Sequence, residues 1–501
     1  MEIISQAEII QASKLEEAVI NCKNRFSDIT DEILSIKATA HEVEKSIFKY
    51  LMELGYMLLS LYFMKFANGN YGKIVKTVDG DAVRGDKSER TYYSIFGKIV
   101  INRYLYHVKG KTLAILDIML NLPKRRYSYF LSEIVSTLSV NRAYGNVIDF
   151  LKKYFFIKLS VSAAETIVEG SSKEYEEYYS SRIETEKLEI DTSKGELTVV
   201  SFDGKGVPVI KKEAAKIVAK LGKGEKKQKK KEALVGVKYN IDPNIRSAEE
   251  VAKNLVYPED KKSEDCESKV KNIANNKRYI ASIEKSKKQV MSEVNDSIKN
   301  EDFTNHPLVC IMDGALILWK ILQQVFSDIT NKVLILDIIH LVEYLWKVSN
   351  SKYKEGSEKG KQYVYEKLKI ILEGKVSEYI KELEDELINM KNKKKKETIL
   401  KVIKYLENHK EYMKYDQYLA NGYPIGTGVV ESACGHVVKD RMEITGARWG
   451  IMGGESVLKL RSISRSGDWE GYWTFLIQKA NDDKRAAFAS DDYSEPLRIA
   501  A

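Results

Sequence analysis

Five hundred and one residues, at about 150 per domain, argue for about three domains and ample length for a buried core. A hydrophobic share of 44% beside 31% charged residues excludes a disordered or collagen-like chain. The longest apolar stretch, Leu54 to Met64, is shorter than the ~20 residues of a bilayer span, and no charged-then-apolar leader opens the chain, so a soluble cytoplasmic protein with no membrane partner is expected. Four cysteines, Cys22, Cys266, Cys310 and Cys434, lie far apart without a C-x-x-C pair, which speaks against a disulfide framework and a cysteine-built zinc site. The net charge of +9 is modest, but basic residues cluster at Lys220–Lys231, Lys391–Lys396 and Lys124–Arg126, and 30 tyrosines supply aromatic surface. Such clusters suit a polyanion partner; solvated surface loops are the alternative reading.

Residues 1 to about 66 read as helix, from Ala7, Ile10, Leu15, Ala18, Val19 and Cys22 through Ile33, Leu34, Val43 and Ile47. Tyr92–His107 carries β-branched and aromatic residues around Gly97 and predicts a short hairpin or pair of strands. Helical spacing returns at Tyr127 and ends in LSVSAAETIVEG, where Ser160 or Ser162 can cap a helix starting at Ala163. Short helices followed by a capped one fit a DNA-reading helix-turn-helix or plain bundle packing. A charged helix is expected over Glu174–Glu189.

From Gly195 the texture changes to apolar runs that stop at acids. These are ELTVVSFDGKGVPVI, ALVGVKYNI from Ala233, PLVCIMDGALILWKILQQVF and, from Lys332, KVLILDIIHLVEYLW, with a polar helical segment expected at about 265–300. Short apolar runs alternating with helices predict an α/β sheet buried on both faces. Residues 350–420 read as a charged helical insertion before GYPIGTGVVESACGHVVKDRMEITGARWG, which starts at Gly422. The resulting division is 1–90, 91–190, 191–349, 350–421, 422–475 and 476–501: a helical start, a DNA-end-binding region, the first part of an α/β core, the insertion, the remainder of the core and a tail.

Chemistry concentrates on acids at the ends of these runs. Asp203-Gly204 and Asp313-Gly314 each follow an apolar run, so both carboxylates are expected to project where a strand gives way to a turn; ordinary turn chemistry is the alternative. Close carboxylates repel unless a cation lies between them, and an all-oxygen set with room for water suits Mg²⁺. Asp337 ends another run with His340 three residues on, a pair that could cap a helix or stand beside a metal. Glu431, in GTGVVESACGHVVKDRM after the candidate cap Thr427, could complete a metal cage with Asp203 and Asp313.

The ordered set Ser201-Phe202-Asp203-Gly204, Asp313-Gly314, Asp337-Ile338-Ile339-His340, Gly422–Ser432, Lys439-Asp440-Arg441-Met442 and Gly446-Ala447-Arg448-Trp449 resembles bacterial insertion-sequence transposases of the DDE type. The resemblance is closest to the ISKra-like group, relatives of the Mutator-like transposases, and spans about residues 90–475. It implies an RNase H-like catalytic core with a helical insertion and a mainly helical N-terminal DNA-binding region. Asp203, Asp313 and Glu431 match the three metal-holding acids and Asp337 and His340 an accessory pair, with Asp337 the alternative second acid. Two Mg²⁺ ions are implied, Mn²⁺ being able to substitute, and double-stranded DNA as partner, both element ends and target, bound by a homo-oligomer in the cytoplasm at the nucleoid. DNA contacts are expected from Lys226, Lys227, Lys229, Lys230, Lys231, Lys439, Arg441, Arg448 and Trp449, although a buried Trp449 anchoring its helix is an equal alternative. Many relatives carry a cysteine-built zinc element before the strand pair; its cysteines are missing here, so end recognition falls to helices and basic side chains, or the element persists without metal. The activity implied is hydrolysis at the element's ends and joining of the 3′-hydroxyl to target DNA. A nuclease of the same fold without strand transfer, or a DNA-binding protein with a silent site, are the alternatives.

Overall fold

The computed structural model describes residues 6–185, 197–217, 229–258, 273–388 and 390–488. They form two compact units, one from the chain up to Glu174 together with the stretch from Glu470 onward, the other from Tyr175 to Trp469. Helices and sheets are mixed, in keeping with the α/β class.

The first unit opens with two long helices, α1 (Gln6–Ser35) and α2 (Ala40–Met64). Thr39 starts the second, its hydroxyl accepting from the Glu42 N–H while the Glu42 carboxylate accepts from the Thr39 N–H at 2.9 Å. Arg25 Nε donates to Glu53 at 2.8 Å and the Tyr50 hydroxyl to Glu32 at 2.6 Å, tying the helices into a hairpin. Strands β1 (Ile74–Thr77), β2 (Gly80–Ser94), β3 (Gly97–Val108) and β4 (Lys111–Leu113) then form an antiparallel sheet in sequence order. The predicted hairpin is its centre. The longer reach of β2 was hidden because GDAVRGDKSER is polar and exposed along most of its length. Helices Tyr129–Ser139, Tyr144–Tyr154 and α3 (Val161–Ser171) follow, sharing a core of Leu131, Val135, Val147, Leu151, Ala164 and Ile167. Of the two candidate caps Ser160 serves, its Oγ accepting from the Ala163 N–H at 3.1 Å.

The second unit begins with the helix Tyr175–Thr185; residues 186–189 of the predicted Glu174–Glu189 helix lie outside the described residues. Its sheet has five strands, β5 (Leu197–Pro208), β6 (Lys230–Ile241), β7 (Asn275–Ser282), β8 (Leu308–Met312) and β9 (Lys332–Leu336), in the order β7-β6-β5-β8-β9. β5, β6 and β7 run antiparallel, whereas β8 and β9 run parallel to β5. One correction follows. Residues 265–272 of the helix expected at about 265–300 lie outside the described residues; among the described ones the helix is Lys287–Asp296, and Asn275–Ser282 is a strand. Its first half, NNKR, is polar because β7 lies at the sheet's edge, and only Tyr279–Ser282 are fully buried. Phe202, Cys310 and Met312 pack on Trp319 and Leu322 of the helix Leu316–Val325 and on Phe326 just after it, which makes one face of the sheet the core.

After β9 come α4 (Ile338–Lys352), the helices Glu358–Leu372 and Val376–Ile388, and α5 (Lys393–His409), whose first turn holds most of the Lys391–Lys396 run. The chain returns through the helix Tyr415–Ala420, where the Tyr415 and Tyr418 hydroxyls donate to the Leu336 and Leu334 carbonyls at 2.8 and 3.0 Å and so satisfy the outer edge of β9. The second unit closes with α6 (Gly428–Ala433), a π-helical turn at Cys434–Lys439 and α7 (Ile451–Ser466); α8 (Trp469–Arg485) belongs, from Glu470, to the first unit.

Candidate metal centre

The register of the second sheet builds the site. Phe202 lies opposite Met312 and Met312 opposite Leu336, so the next residue of each strand, Asp203, Asp313 and Asp337, comes side by side where the parallel part of the sheet ends. Neighbouring strands are about 4.8 Å apart, close enough for three carboxylates to sense one another. Asp203 is not at a turn, as its Asp-Gly pair suggested. β5 continues to Pro208 because β6 pairs with it throughout, Asp203 facing Val235 and Gly204 facing Leu234. What changes at Asp203 is burial: the six residues from Leu197 to Phe202 are buried and the next four are half-exposed.

Each acid has a distinct setting. Asp313 is half-buried and its Oδ1 accepts from the Ala315 N–H at 3.1 Å. Burial, reinforced by the charges of Asp203 and Asp337, raises its pKa against the opposing effects of that hydrogen bond and His340. Asp337 is fully buried; its Oδ2 accepts from the His340 N–H at 3.2 Å, capping α4, and its Oδ1 accepts from the Thr427 N–H at 2.9 Å. The Ile338 N–H also donates to the Ile425 carbonyl at 2.9 Å, so the end of β9 and the loop before α6 are held together at two points. Glu431 is exposed on α6, and its Oε1 accepts from the Thr427 hydroxyl at 3.1 Å.

Ligand atoms of Asp337, His340 and Glu431 all lie within 4.8 Å of one another, so these three residues could hold a metal ion. The accessory pair is thus beside the third acid. Among the described residues, no Lys or Arg forms an ion pair with Asp203, Asp313, Asp337 or Glu431. The Cys434 thiol, one turn beyond Glu431, donates to Asp203, and burial together with that carboxylate's charge raises its pKa. The Tyr405 hydroxyl, near enough to Asp313 and Asp337 for their charges to raise its pKa on top of burial, is buried without a hydrogen-bond partner among the described residues. Its ring stacks on Tyr344 at 3.7 Å, and a Cβ on Gly314 would meet it at 2.5 Å. Glycine is therefore required beside Asp313 for this close approach rather than for a turn.

The residues expected to touch DNA divide. Lys226 and Lys227 lie outside the described residues. Lys229 is exposed, while Lys230 and Lys231 belong to β6 rather than to a loop between strands, Lys230 forming an ion pair with Glu443. Lys439 and Arg448 are exposed. Arg441 is only 2% exposed and lies over the Trp449 ring at 4.7 Å, so it is not on a DNA-facing surface. Trp449 is the buried anchor: its indole N–H donates to the Met442 carbonyl and its backbone N–H to the Pro208 carbonyl, both at 3.0 Å. Sequence reasoning missed Tyr344, Tyr405 and Cys434. Only Cys434 carried a signal, its one-turn spacing from Glu431. No protein-family model matches the chain, and no curated protein matches it.

Proposed function

We propose that the second unit is an RNase H-like core with a helical insertion, and that the protein is a DNA transposase of the DDE type. The observation that carries this reading is the adjacency of Asp203, Asp313 and Asp337 at the carboxyl ends of parallel strands, with Glu431 delivered beside Asp337 by the returning chain. A sheet of three antiparallel strands, with two more parallel to the first on its other side, is the order expected of that core, and the helices between β9 and α6 occupy the place of the insertion. The donor set fits divalent metal: carboxylate oxygens that no Lys or Arg among the described residues pairs with, a carboxyl group made harder to ionise by burial and by its acidic neighbours, and a tyrosine hydroxyl with no partner among those residues, able to donate to a bound water.

Asp203, Asp313 and Glu431 would hold two Mg²⁺ ions, or Mn²⁺ in their place; such a pair supplies activation of a water or 3′-hydroxyl and stabilisation of the leaving oxygen. Asp337 fixes the loop that sets Glu431, and His340 presents its ring to the same carboxylate. Lys229, Lys439 and Arg448 offer positive charge to a DNA backbone. The first unit, with its bundle ending in α3, reads the element's ends, and the protein works at the nucleoid as an oligomer on DNA.

The test is Mg²⁺-dependent cutting of a plasmid that carries the gene's flanking DNA. Wild type cuts at the flanks, and Asp203→Ala shows no cutting at any Mg²⁺ concentration. His340→Ala cuts about 10–100-fold more slowly and recovers in part at high Mg²⁺, as expected of a residue that supports the ligands. Wild-type cutting by Asp203→Ala would refute the assignment; complete, metal-insensitive inactivity of His340→Ala would make it a catalytic group.

A further inference from the structure

The helix α2 leaves a seam open. Ile47, Leu51, Leu54, Leu58 and Leu61 recur at steps of four, three, four and three, the spacing of a two-stranded coiled coil. The inward face of α2 carries Phe63, whose ring meets Tyr92 edge-on, and another side is taken by α1 through Arg25–Glu53 and Tyr50–Glu32. The seam is served by neither: Leu51 is 58% and Leu58 59% exposed, with Ile47 and Tyr62 at 41% and 43%. Four large apolar side chains in one exposed stripe are costly to leave in water, and soluble chains cover such stripes by association.

Charge at the two ends of the seam selects the occupant. Glu44 lies three residues before Ile47 and Lys65 four residues after Leu61, both exposed and both on the seam's own spacing. An antiparallel partner of the same sequence, centred between Leu54 and Gly55, meets Glu44 with Lys65 at both ends, Ile47 with Tyr62 and Leu51 with Leu58. A parallel copy would stack Glu44 on Glu44 and Lys65 on Lys65. We propose that α2 pairs antiparallel with α2 of a second copy of this chain, so that the two α1–α2 hairpins associate about a two-fold axis. A lipid bilayer is the competing occupant, since Ala40–Met64 is long and apolar enough to cross one. However, Glu42, Glu44, Lys45, Lys49 and Glu53 lie along it, and a bilayer core penalises each of them, whereas a paired helix leaves all but the seam in water.

Sedimentation velocity on the full chain without DNA, across a concentration series, decides this. Wild type is expected to sediment as a dimer. Glu44→Lys alone and Lys65→Glu alone, both at exposed positions, should each raise the dimer Kd about tenfold, since each places like charges together at both ends of the seam. The double variant should return to within about threefold of wild type. Leu51→Glu should give monomer. The proposal is overturned by a monomeric wild type, by a double variant no tighter than either single one, or by flotation of monomeric protein with phospholipid vesicles.

Discussion

Asp313→Asn is expected to abolish Mg²⁺-dependent cleavage without weakening the metal-free fold. The carboxylate is held between Asp203 and Asp337 in a half-buried position that disfavours its charge, a cost that a bound cation would offset. Asparagine keeps an oxygen for the Ala315 N–H and removes the repulsion, so thermal stability in EDTA should equal or exceed that of wild type. Cleavage should fall by about 10³-fold or more, because losing a ligand removes several kcal/mol of charge stabilisation and each ~1.4 kcal/mol is tenfold in rate. The rise in melting temperature that Mg²⁺ gives wild type should vanish with it. Near wild-type cleavage by Asp313→Asn would move the second acid to Asp337.

Asp337→Ala has the opposite signature, a large loss of stability. Both oxygens of this fully buried carboxylate accept backbone N–H groups, one at the start of α4 and one at Thr427, on opposite sides of the junction between β9 and the Glu431 loop. Alanine leaves two N–H groups without partners at about 1–3 kcal/mol each, so a total of about 2–6 kcal/mol is expected, read as a lower urea midpoint. Asparagine, with one acceptor oxygen, should fall between. An unchanged midpoint for Asp337→Ala would show that the carboxylate is not a clamp, and would favour a ligand role through the group it forms with His340 and Glu431.

The contrast between these two aspartates marks what the sequence could and could not tell. An acid following an apolar run is visible from composition alone, and it located Asp203, Asp313 and Asp337 at one edge of a sheet. Their division of labour depends on what closes over them, a loop some ninety residues later whose Thr427 N–H reaches back to Asp337. Local pattern also misread Asp203-Gly204, since a twelve-residue pairing with β6 carries the strand through a dipeptide that favours turns elsewhere. Arg441 and Trp449 were both expected among the DNA contacts, with a buried Trp449 as the equal alternative, because cation and aromatic side chains serve both purposes; here the Arg441 guanidinium lies over the Trp449 ring inside the protein. Tyr405 carried no signal, being brought to Asp313 only by the packing of α5 on the site. β7 was lost because an edge strand need not alternate.

The central claim, that these strand-end acids form a metal centre for phosphodiester chemistry on DNA, is tested most directly by joining. A pre-cut duplex ending in a 3′-hydroxyl, taken from the gene's own flank, is incubated with supercoiled plasmid and increasing Mg²⁺, and the joined product is counted for wild type and Asp203→Ala purified in parallel. The account predicts joined product with wild type that appears only with Mg²⁺ or Mn²⁺, and none with Asp203→Ala, while both proteins bind the end equally. Joining without divalent metal, or equal joining by the two proteins, would contradict it.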